Sequence, residues 1–247
     1  MKPGLALALC LALIAGAARS ATTRCWIDHG ALVVAASFGD IADDFIVDLA
    51  QPASELHLTQ AQAAGLDGDA ATAALSLAGV RTPSFSMRIV DLDARLRPFE
   101  TTVAGVLGWD AFRGRSLTIR FSPCRVAIGE EWPPRRKGDI RLEATLAGGV
   151  PVVPAGLSDG LASRRDVMAL GVGGAETRVA DAQPARPAPE GRRPRRLRAV
   201  SFAGQIFENV PAGVSDAGPE TLGLAVIQRF DLNLSADGRR LSLRPVR

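Results

Sequence analysis

The feature that most constrains the fold is an internal repeat, because the second half of the chain returns to three blocks of the first half in the same order. Residues 45–50, Phe-Ile-Val-Asp-Leu-Ala, resemble residues 151–156, Pro-Val-Val-Pro-Ala-Gly, which lie 106 positions later. Each run is followed, 15 positions after its last residue, by a glycine turn, at Gly65 and at Gly171. We interpret the two runs as copies of one buried strand that leads into a functional turn.

The other two blocks fix the length differences between the halves. Residues 74–79 reappear at 199–204, and residues 106–112 reappear at 221–227, with an apolar strand following each copy. The changing offsets place an insertion of 19 residues before position 199 in the second half, and ten extra residues in the first half near position 100. Ordered blocks separated by loop-like insertions indicate one structural unit that was duplicated and then diverged.

The blocks predict an all-β fold. The apolar runs are five or six residues long and rich in β-branched side chains, glycine-containing turns separate them, and few segments carry a helical period. We place the first lobe at residues 25–129 and the second at residues 139–247. Residues 130–138 are predicted to be the linker, since the pair Pro133 and Pro134 cannot continue a strand ladder.

Residues 1–20 have the pattern of a signal peptide. Lys2 supplies the positive charge, residues 5–15 are apolar but too short to span a membrane, and Ala18-Arg19-Ser20 is a small-x-small cleavage site. We therefore expect an exported protein, periplasmic or secreted, with no transmembrane span. Removal of Lys2 and Arg19 leaves 27 basic against 26 acidic residues, which argues against a nucleic-acid partner.

The order of these elements resembles a known family. An apolar strand, a tripeptide in the place of Asp-Thr-Gly, an Ala-Gly-Leu turn at 64–66, a glycine hairpin and a final apolar-Gly segment follow one another as in the retropepsin and pepsin aspartic proteases. The resemblance is to an exported, two-lobed, bacterial type and covers nearly all of the chain after residue 20. It implies two homologous acid-protease-like β-barrel lobes with a cleft between them, each lobe supplying one tripeptide.

The tripeptides depart from the family pattern in a way that bears on activity. The first is Asp48-Leu49-Ala50 and the second is Pro154-Ala155-Gly156, so only the first contains an acid. In the family, two carboxyls share a proton, and one polarises the carbonyl while the other activates water. A single aspartate cannot divide that work. The resemblance therefore implies that Asp48 faces Pro154, and that residues 154–156 line a binding surface without supplying an acid.

Two functions of different classes follow from these residues. The first is an exported pseudoprotease that binds a peptide or protein segment in the cleft without cutting it. The second is a divergent aspartic-type peptidase that uses Asp48 with Asp159, or with an acid from a second molecule. Asp159 precedes Gly160 and is also typical of a turn acid, and Asp48 could be a purely structural acceptor of backbone hydrogen bonds. The sequence favours the first function.

Other chemistry has weaker support. Asp48, Ser54 and His57 have the residue types of a catalytic triad, but all three come from one local segment, and we expect His57 at the surface. Two histidines and two cysteines beyond residue 20 do not form a metal-binding pattern. No glycine-rich phosphate loop is present either. We expect no metal and no cofactor.

The two cysteines that follow the signal segment, Cys25 and Cys124, lie near the ends of the first lobe. In a lobe that resembles this family, the first and last strands commonly lie side by side, and export permits a disulfide. The resemblance thus implies a Cys25–Cys124 bond. The alternative is a pair of free buried thiols.

A basic segment forms most of the insertion in the second half. Residues 182–198 contain four prolines and six arginines, among them Arg192, Arg193, Arg195, Arg196 and Arg198. Such a composition cannot bury enough apolar surface to fold alone, so we predict a disordered, solvated loop. Its functional interpretation is an arm that binds an anionic surface or an acidic partner, with strong salt dependence.

Overall fold

The computed structural model describes residues 21–130, 132, 134–180, 196–215 and 219–246. Strands are the predominant secondary structure of these residues, as the sequence predicts, and they also include three short helices. The strands of the first half are β1 (Ala21–Asp28), β2 (Ala31–Phe38), β3 (Ile41–Val47), β4 (Glu55–His57), β5 (Ala70–Leu77), β6 (Val80–Val90), β7 (Val103–Leu107), β8 (Leu117–Phe121) and β9 (Cys124–Ile128). Its helices are α1 (Leu58–Ala63) and α2 (Asp93–Leu96), and a 3-10 turn spans Trp109–Ala111.

The second half repeats this order with one helix. Its strands are β10 (Ile140–Glu143), β11 (Thr145–Ala147), β12 (Val150–Ser158), β13 (Ser163–Gly171), β14 (Thr177–Val179), β15 (Arg196–Phe202), β16 (Gln205–Val214), β17 (Thr221–Gly223), β18 (Phe230–Leu234) and β19 (Arg240–Pro245). Helix α3 (Leu224–Ile227) follows β17, at the place where the 3-10 turn follows β7 in the first half.

Two six-stranded barrels are built from equivalent strands. In the first, the order is β2-β3-β7-β4-β6-β5, and pairing of β2 with β5 closes the barrel. In the second, the order is β12-β13-β17-β14-β16-β15, closed by β12 and β15. The parallel pairs also correspond, since β3–β7 and β4–β6 match β13–β17 and β14–β16. The all-β class with two barrels is therefore confirmed.

A shared antiparallel sheet joins the two barrels. It runs β10-β19-β18-β8-β9-β1, so each half contributes three strands and the β8–β18 pair lies at its centre. Thr118 and Asn233 are equivalent under the repeat offset of 115, and they pair directly with each other across β8 and β18. The Asn233 amide also donates to the Thr118 hydroxyl at 2.9 Å. Pairing of a position with its own equivalent is what a local two-fold axis between the halves requires.

The predicted equivalence of residues 45–50 and residues 151–156 in the internal repeat is wrong. Residues 151–156 lie in β12, which begins after a glycine turn and pairs with both β13 and β15, as β2 pairs with both β3 and β5. The equivalent of β12 is therefore β2, and Gly156 corresponds to Ser37 because these residues pair with the equivalent positions Ser201 and Ser76. Both β2 and β3 are short buried apolar runs, so the apolar pattern alone did not distinguish them.

A disulfide joins Cys25 and Cys124, as the resemblance implied, and connects β1 to β9 across 99 residues of sequence. The two strands are hydrogen-bonded neighbours, with Arg24 opposite Arg125. One buried apolar cluster contains residues of both halves, among them the fully buried Trp109 and Phe230. The lobes therefore share a hydrophobic core as well as a sheet.

Part of the basic segment is ordered, which corrects the prediction for residues 196–198. Arg196 and Arg198 lie in β15 with exposed side chains, and Leu197 between them is buried and pairs with Val210. The alternation explains the correction, because one buried leucine and a full β15–β16 ladder anchor the end of the segment. Arg192, Arg193 and Arg195 lie outside the described residues, as does the signal segment 1–20.

No helix within the described part of the chain is long and apolar enough to cross a membrane.

Candidate functional site

Asp48 lies in a loop that emerges between two parallel strands. It directly follows β3, whose last three residues are buried, and its backbone N–H donates to the carbonyl of Leu107 at the end of β7 at 2.9 Å. The loop then turns back, since the N–H of Gln51 donates to the Asp48 carbonyl at 3.1 Å. A polar residue is thus placed at the edge of a buried parallel pair.

Matching hydrogen bonds identify the equivalent loop in the second half. Ser54 Oγ accepts the N–H of Gly108 at 2.9 Å, and Thr177 Oγ1 accepts the N–H of Gly223 at 3.1 Å. Both hydroxyls are fully buried. They hold each loop against a glycine at the end of β7 or β17, Gly108 directly after β7 and Gly223 as the last residue of β17. The two hydroxyl-bearing residues set the offset between the two loops at 123 residues.

A second pair of bonds gives the same offset. Trp109 N–H donates to the Gln51 carbonyl at 2.8 Å, and Leu224 N–H donates to the Gly174 carbonyl at 2.8 Å. At an offset of 123, Asp48 corresponds to Gly171. The tripeptide of the second half is therefore Gly171-Val172-Gly173.

The two tripeptide loops touch each other. A Cβ built on Gly173 would lie 2.6 Å from Asp48 Cβ and 2.7 Å from Asp48 Oδ2, so the absence of a side chain there lets the loops approach. The N–H of Leu32 in the first half donates to the carbonyl of Val172 at 2.9 Å. The symmetry-related donor would be Pro151, which has no N–H, so this bond is made on one side only.

Flanking contacts across the halves are reciprocal. A Cβ on Gly30 would meet the Cβ of Ala175 at 2.5 Å, and a Cβ on Gly149 would meet the Cβ of Pro52 at 3.4 Å. Gly30 and Gly149 precede the equivalent strands β2 and β12, and the two partners are equivalent residues of the tripeptide loops. The local two-fold axis therefore passes between these loops.

The Asp48 carboxylate is already paired within the first half. Arg95 Nη2 donates to Oδ2 at 2.7 Å, and the N–H of Ala50 donates to Oδ1 at 3.2 Å. Arg95 also donates to Gln51 Oε1 at 2.8 Å, which fixes the guanidinium over the loop. The side chains of Asp48 and Arg95 are 16% and 31% exposed. Among the described residues, no second carboxyl group is a partner of Asp48.

Helix α2 carries Arg95, and His57 holds that helix in place. The N–H of Leu92 donates to His57 Nδ1 at 3.2 Å, and His57 Nε2 lies 3.2 Å from Asp93 Oδ1. Because Nδ1 accepts a backbone proton, the ring hydrogen lies on Nε2 and points at Asp93. His57 is buried, so the expectation that it lies at the surface is wrong.

The contacts of His57 and Ser54 bear on two other candidate sites, a metal site and a catalytic triad. His57, Asp91 and Asp93 approach one another within 4.8 Å, and the two ring nitrogens of the histidine lie against the N–H of Leu92 and the Asp93 carboxylate. Ser54 Oγ donates to Asp110 Oδ1 at 2.7 Å. Neither Asp48 nor His57 is a hydrogen-bond partner of Ser54, so these three residues do not form a triad.

Asp159 lies at the tip of the β12–β13 hairpin. Its exposed carboxylate accepts the N–H groups of Ala162 and Leu161, both at 2.7 Å, and these bonds lower the pKa of Asp159. The hairpin ladder runs from the Ser158–Ser163 pair towards Gly171 at the other end of β13. At ~3.3 Å per residue, the tip is roughly 25 Å from Gly171. Asp159 is a turn acid and cannot meet Asp48.

Residues 154–156 lie on the wall of the second barrel and do not face Asp48. Pro154, Ala155 and Gly156 pair with Val167, Asp166 and Arg165 on β13. They line a shallow groove of about 750 Å³ on the barrel, together with residues of the β15–β16 hairpin. The residues that do face Asp48 were read from the sequence as a turn. Their signal was a buried apolar run, Met168 to Leu170, that leads into Gly-Val-Gly-Gly.

No protein-family model matches the chain, and a search of curated proteins finds no significant match.

Proposed function

We propose that this protein is a non-hydrolytic, aspartic-protease-like module that is exported and binds an extended peptide or protein segment beside Asp48. The observation that carries the proposal is the identity of the residue equivalent to Asp48. That residue is Gly171, so the site has one carboxylate where acid proteolysis needs two.

The electrostatics of the site support the loss of hydrolysis. A catalytic pair of aspartates holds one proton between two carboxyls and a water molecule. Asp48 instead forms an ion pair with the Arg95 guanidinium, which occupies Oδ2. General acid-base help from one carboxylate contributes about 100- to 10,000-fold per proton transfer, far less than the enhancement of about 10⁶-fold or more that enzymes typically provide.

The backbone around the site supports the binding of an extended chain. The N–H groups of Gly173 and Gly174 have no hydrogen-bond partner among the described residues, and both glycines are partly exposed. A Cβ built on Gly174 would meet no atom within 4 Å, so the loop borders open space. Unpaired backbone donors at an open edge are suited to main-chain carbonyl groups of a peptide. The disulfide is compatible with export.

The proposal is tested with unstructured peptides of about ten residues and amide NMR of the protein. We expect shifts at Gly173, Gly174 and Gln51, with the peptides recovered intact. Gly174→Phe fills the open space and should weaken binding at least tenfold, by steric exclusion. Ala42→Phe adds the same ring at an exposed position near the far end of β3, and it should leave the affinity within twofold. Peptide binding that moves none of these amides, or equal loss in both variants, would refute the proposal.

A further inference from the structure

A polar pocket lies on the shared sheet, on the face that points away from the apolar core. Cross-strand pairing places Arg141 opposite Ser242, Ser242 opposite Asn233, and Asn233 opposite Thr118. Directly opposite residues of an antiparallel sheet share a face, so these four side chains form one row across the two halves. The adjacent positions Leu232 and Leu243 also pair and face the core. The sheet is therefore apolar on one face and polar on the other at its centre.

Three of the four residues in this row are buried, although they lie outside the apolar core. Thr118, Asn233 and Ser242 are 1%, 8% and 7% exposed. The segment after β9 covers them: Ser116 Oγ donates to the Glu130 carbonyl at 2.9 Å, and Arg120 donates to Glu130 Oε1 at 2.6 Å. This cover leaves a pocket of about 360 Å³, which is within the range of small-molecule sites, ~300–1,000 Å³.

The polar groups in this pocket are incompletely satisfied by the described residues. Glu130 Oε2 is buried and accepts no hydrogen bond from any of them. The amide nitrogen of Asn233 donates to Thr118, whereas neither its oxygen nor the Ser242 hydroxyl has a partner in the described part of the chain. A buried acceptor without a donor costs ~1–3 kcal/mol, so a hydroxyl or N–H group that reaches Glu130 Oε2 would bind there favourably.

Two guanidinium groups and an indole complete the lining. Arg141 and Arg240 form no ion pair with a described residue, and both have exposed side chains beside the pocket. Trp132 borders the same space and is held by the Arg244 guanidinium, which lies 5.1 Å from its ring centroid. Asp139 in turn holds Arg244 through two bonds of 2.8 and 2.7 Å.

We propose that this pocket binds a monosaccharide-sized sugar acid. Its carboxylate fits the paired donors of Arg141 and Arg240, and its hydroxyls can donate to Glu130 Oε2 and to the free oxygen of Asn233. The C–H face of its ring packs against Trp132. A simple inorganic anion would leave Glu130 Oε2 without a donor, and a neutral sugar would not engage the charge of the two exposed guanidinium groups.

The test titrates the full protein with D-glucuronate, D-glucose and inorganic phosphate, followed by tryptophan fluorescence and amide NMR. We expect glucuronate to bind at millimolar concentration, at least tenfold more tightly than glucose or phosphate, with shifts at Asn233 and Ser242. Arg240→Ala should weaken binding at least tenfold. The matched control is Arg239→Ala, because Arg239 is the exposed neighbour of Arg240 and does not line the pocket. That variant should bind within twofold of wild type.

Three results would overturn the proposal. They are no saturable response to 50 mM glucuronate, equal affinity for glucuronate and phosphate, or equal weakening by Arg240→Ala and Arg239→Ala. Arg240 is exposed and its side chain makes no ion pair with the described residues, so Arg240→Ala is expected to fold; a thermal melt within about 2 °C of wild type verifies this.

Discussion

At the scale of single residues, Arg95 determines what Asp48 can do. The guanidinium lies on one carboxylate oxygen and the N–H of Ala50 lies on the other. A carboxylate held in this way is a good structural acceptor and a poor general base, since activating a water molecule would require an oxygen that is not already paired. The position across the axis cannot compensate, because Gly171 has no side chain.

The assignment of Gly171 as the equivalent of Asp48 predicts the outcome of installing a second acid. In an Arg95→Ala background, Gly171→Asp should produce two carboxyls whose titrations are coupled, since like charges in close contact cannot both ionise. Carbon-13 NMR titration of the aspartates measures this. Pro154→Asp in the same background is the control and should show no such coupling. Coupling in the Pro154→Asp variant alone would restore the equivalence that the sequence suggested.

A second residue-scale prediction concerns acid stability. The Arg244 guanidinium beside Asp139 lowers the pKa of that carboxyl to about 2, and the side chain is only 4% exposed. Because the folded-state pKa is below the unfolded value, the stabilisation is complete above about pH 4 and is lost as the pH falls towards 2. Between pH 5 and pH 2, wild type should lose on the order of 1 to 2 kcal/mol more unfolding free energy than Asp139→Asn. Parallel pH profiles from urea denaturation would contradict this assignment.

At the scale of elements, Gly108 directly after β7 and Gly223 at the end of β17 determine how closely each tripeptide loop packs. A Cβ on Gly223 would lie 2.3 Å from the carbonyl carbon of Glu176 and 2.4 Å from the Ala175 oxygen. Gly108 makes the equivalent approach to Gln51 and Ala53. The loop backbones therefore occupy the space that any side chain at these positions would need.

This packing predicts a large difference between two glycine substitutions. Gly223→Ala should cost about 3 kcal/mol or more of unfolding free energy, because backbone atoms must move to admit the methyl group. Gly174→Ala, where the added Cβ meets nothing, should change stability by no more than about 0.5 kcal/mol. Urea denaturation of both variants decides it. Similar losses in the two variants would mean that the loops do not pack as described.

The repeated blocks that contain a distinctive glycine turn were predicted correctly. The Leu-Ala-Gly hairpin of β5 and β6 and the Phe-Ala-Gly hairpin of β15 and β16 occupy equivalent places, as the offset of 125 predicted. The prediction failed at residues 151–156, because β2, β3 and β12 are all short apolar strands with largely buried residues, and residues 151–156 have the same spacing to a glycine as residues 45–50. The tripeptide of the second half has Gly171 in the place of the aspartate, which is the most recognisable residue of the motif. Gly171 could therefore be identified only through the hydrogen bonds of its loop.

At the scale of the whole molecule, the duplication places both candidate sites at the boundary between its halves. The Asp48 loop meets the Gly171-Val172-Gly173 loop on the axis, and the Glu130 pocket opens beside the axial Thr118–Asn233 pair. Neither site exists within one half alone, since each needs residues of both. A shared sheet and a shared core hold this arrangement together, so the two halves are expected to unfold as one unit.

The measurement that tests the account most directly is a cleavage assay with wild type and Asp48→Asn in parallel. Unfolded casein is incubated with each protein between pH 3 and pH 7, and the products are identified by mass spectrometry. With one paired carboxylate and a glycine at its equivalent position, wild type should yield no fragment that is absent from the Asp48→Asn sample. Fragments that appear with wild type, disappear with Asp48→Asn and are suppressed by pepstatin would contradict the account, because they would require a second acid at Asp48.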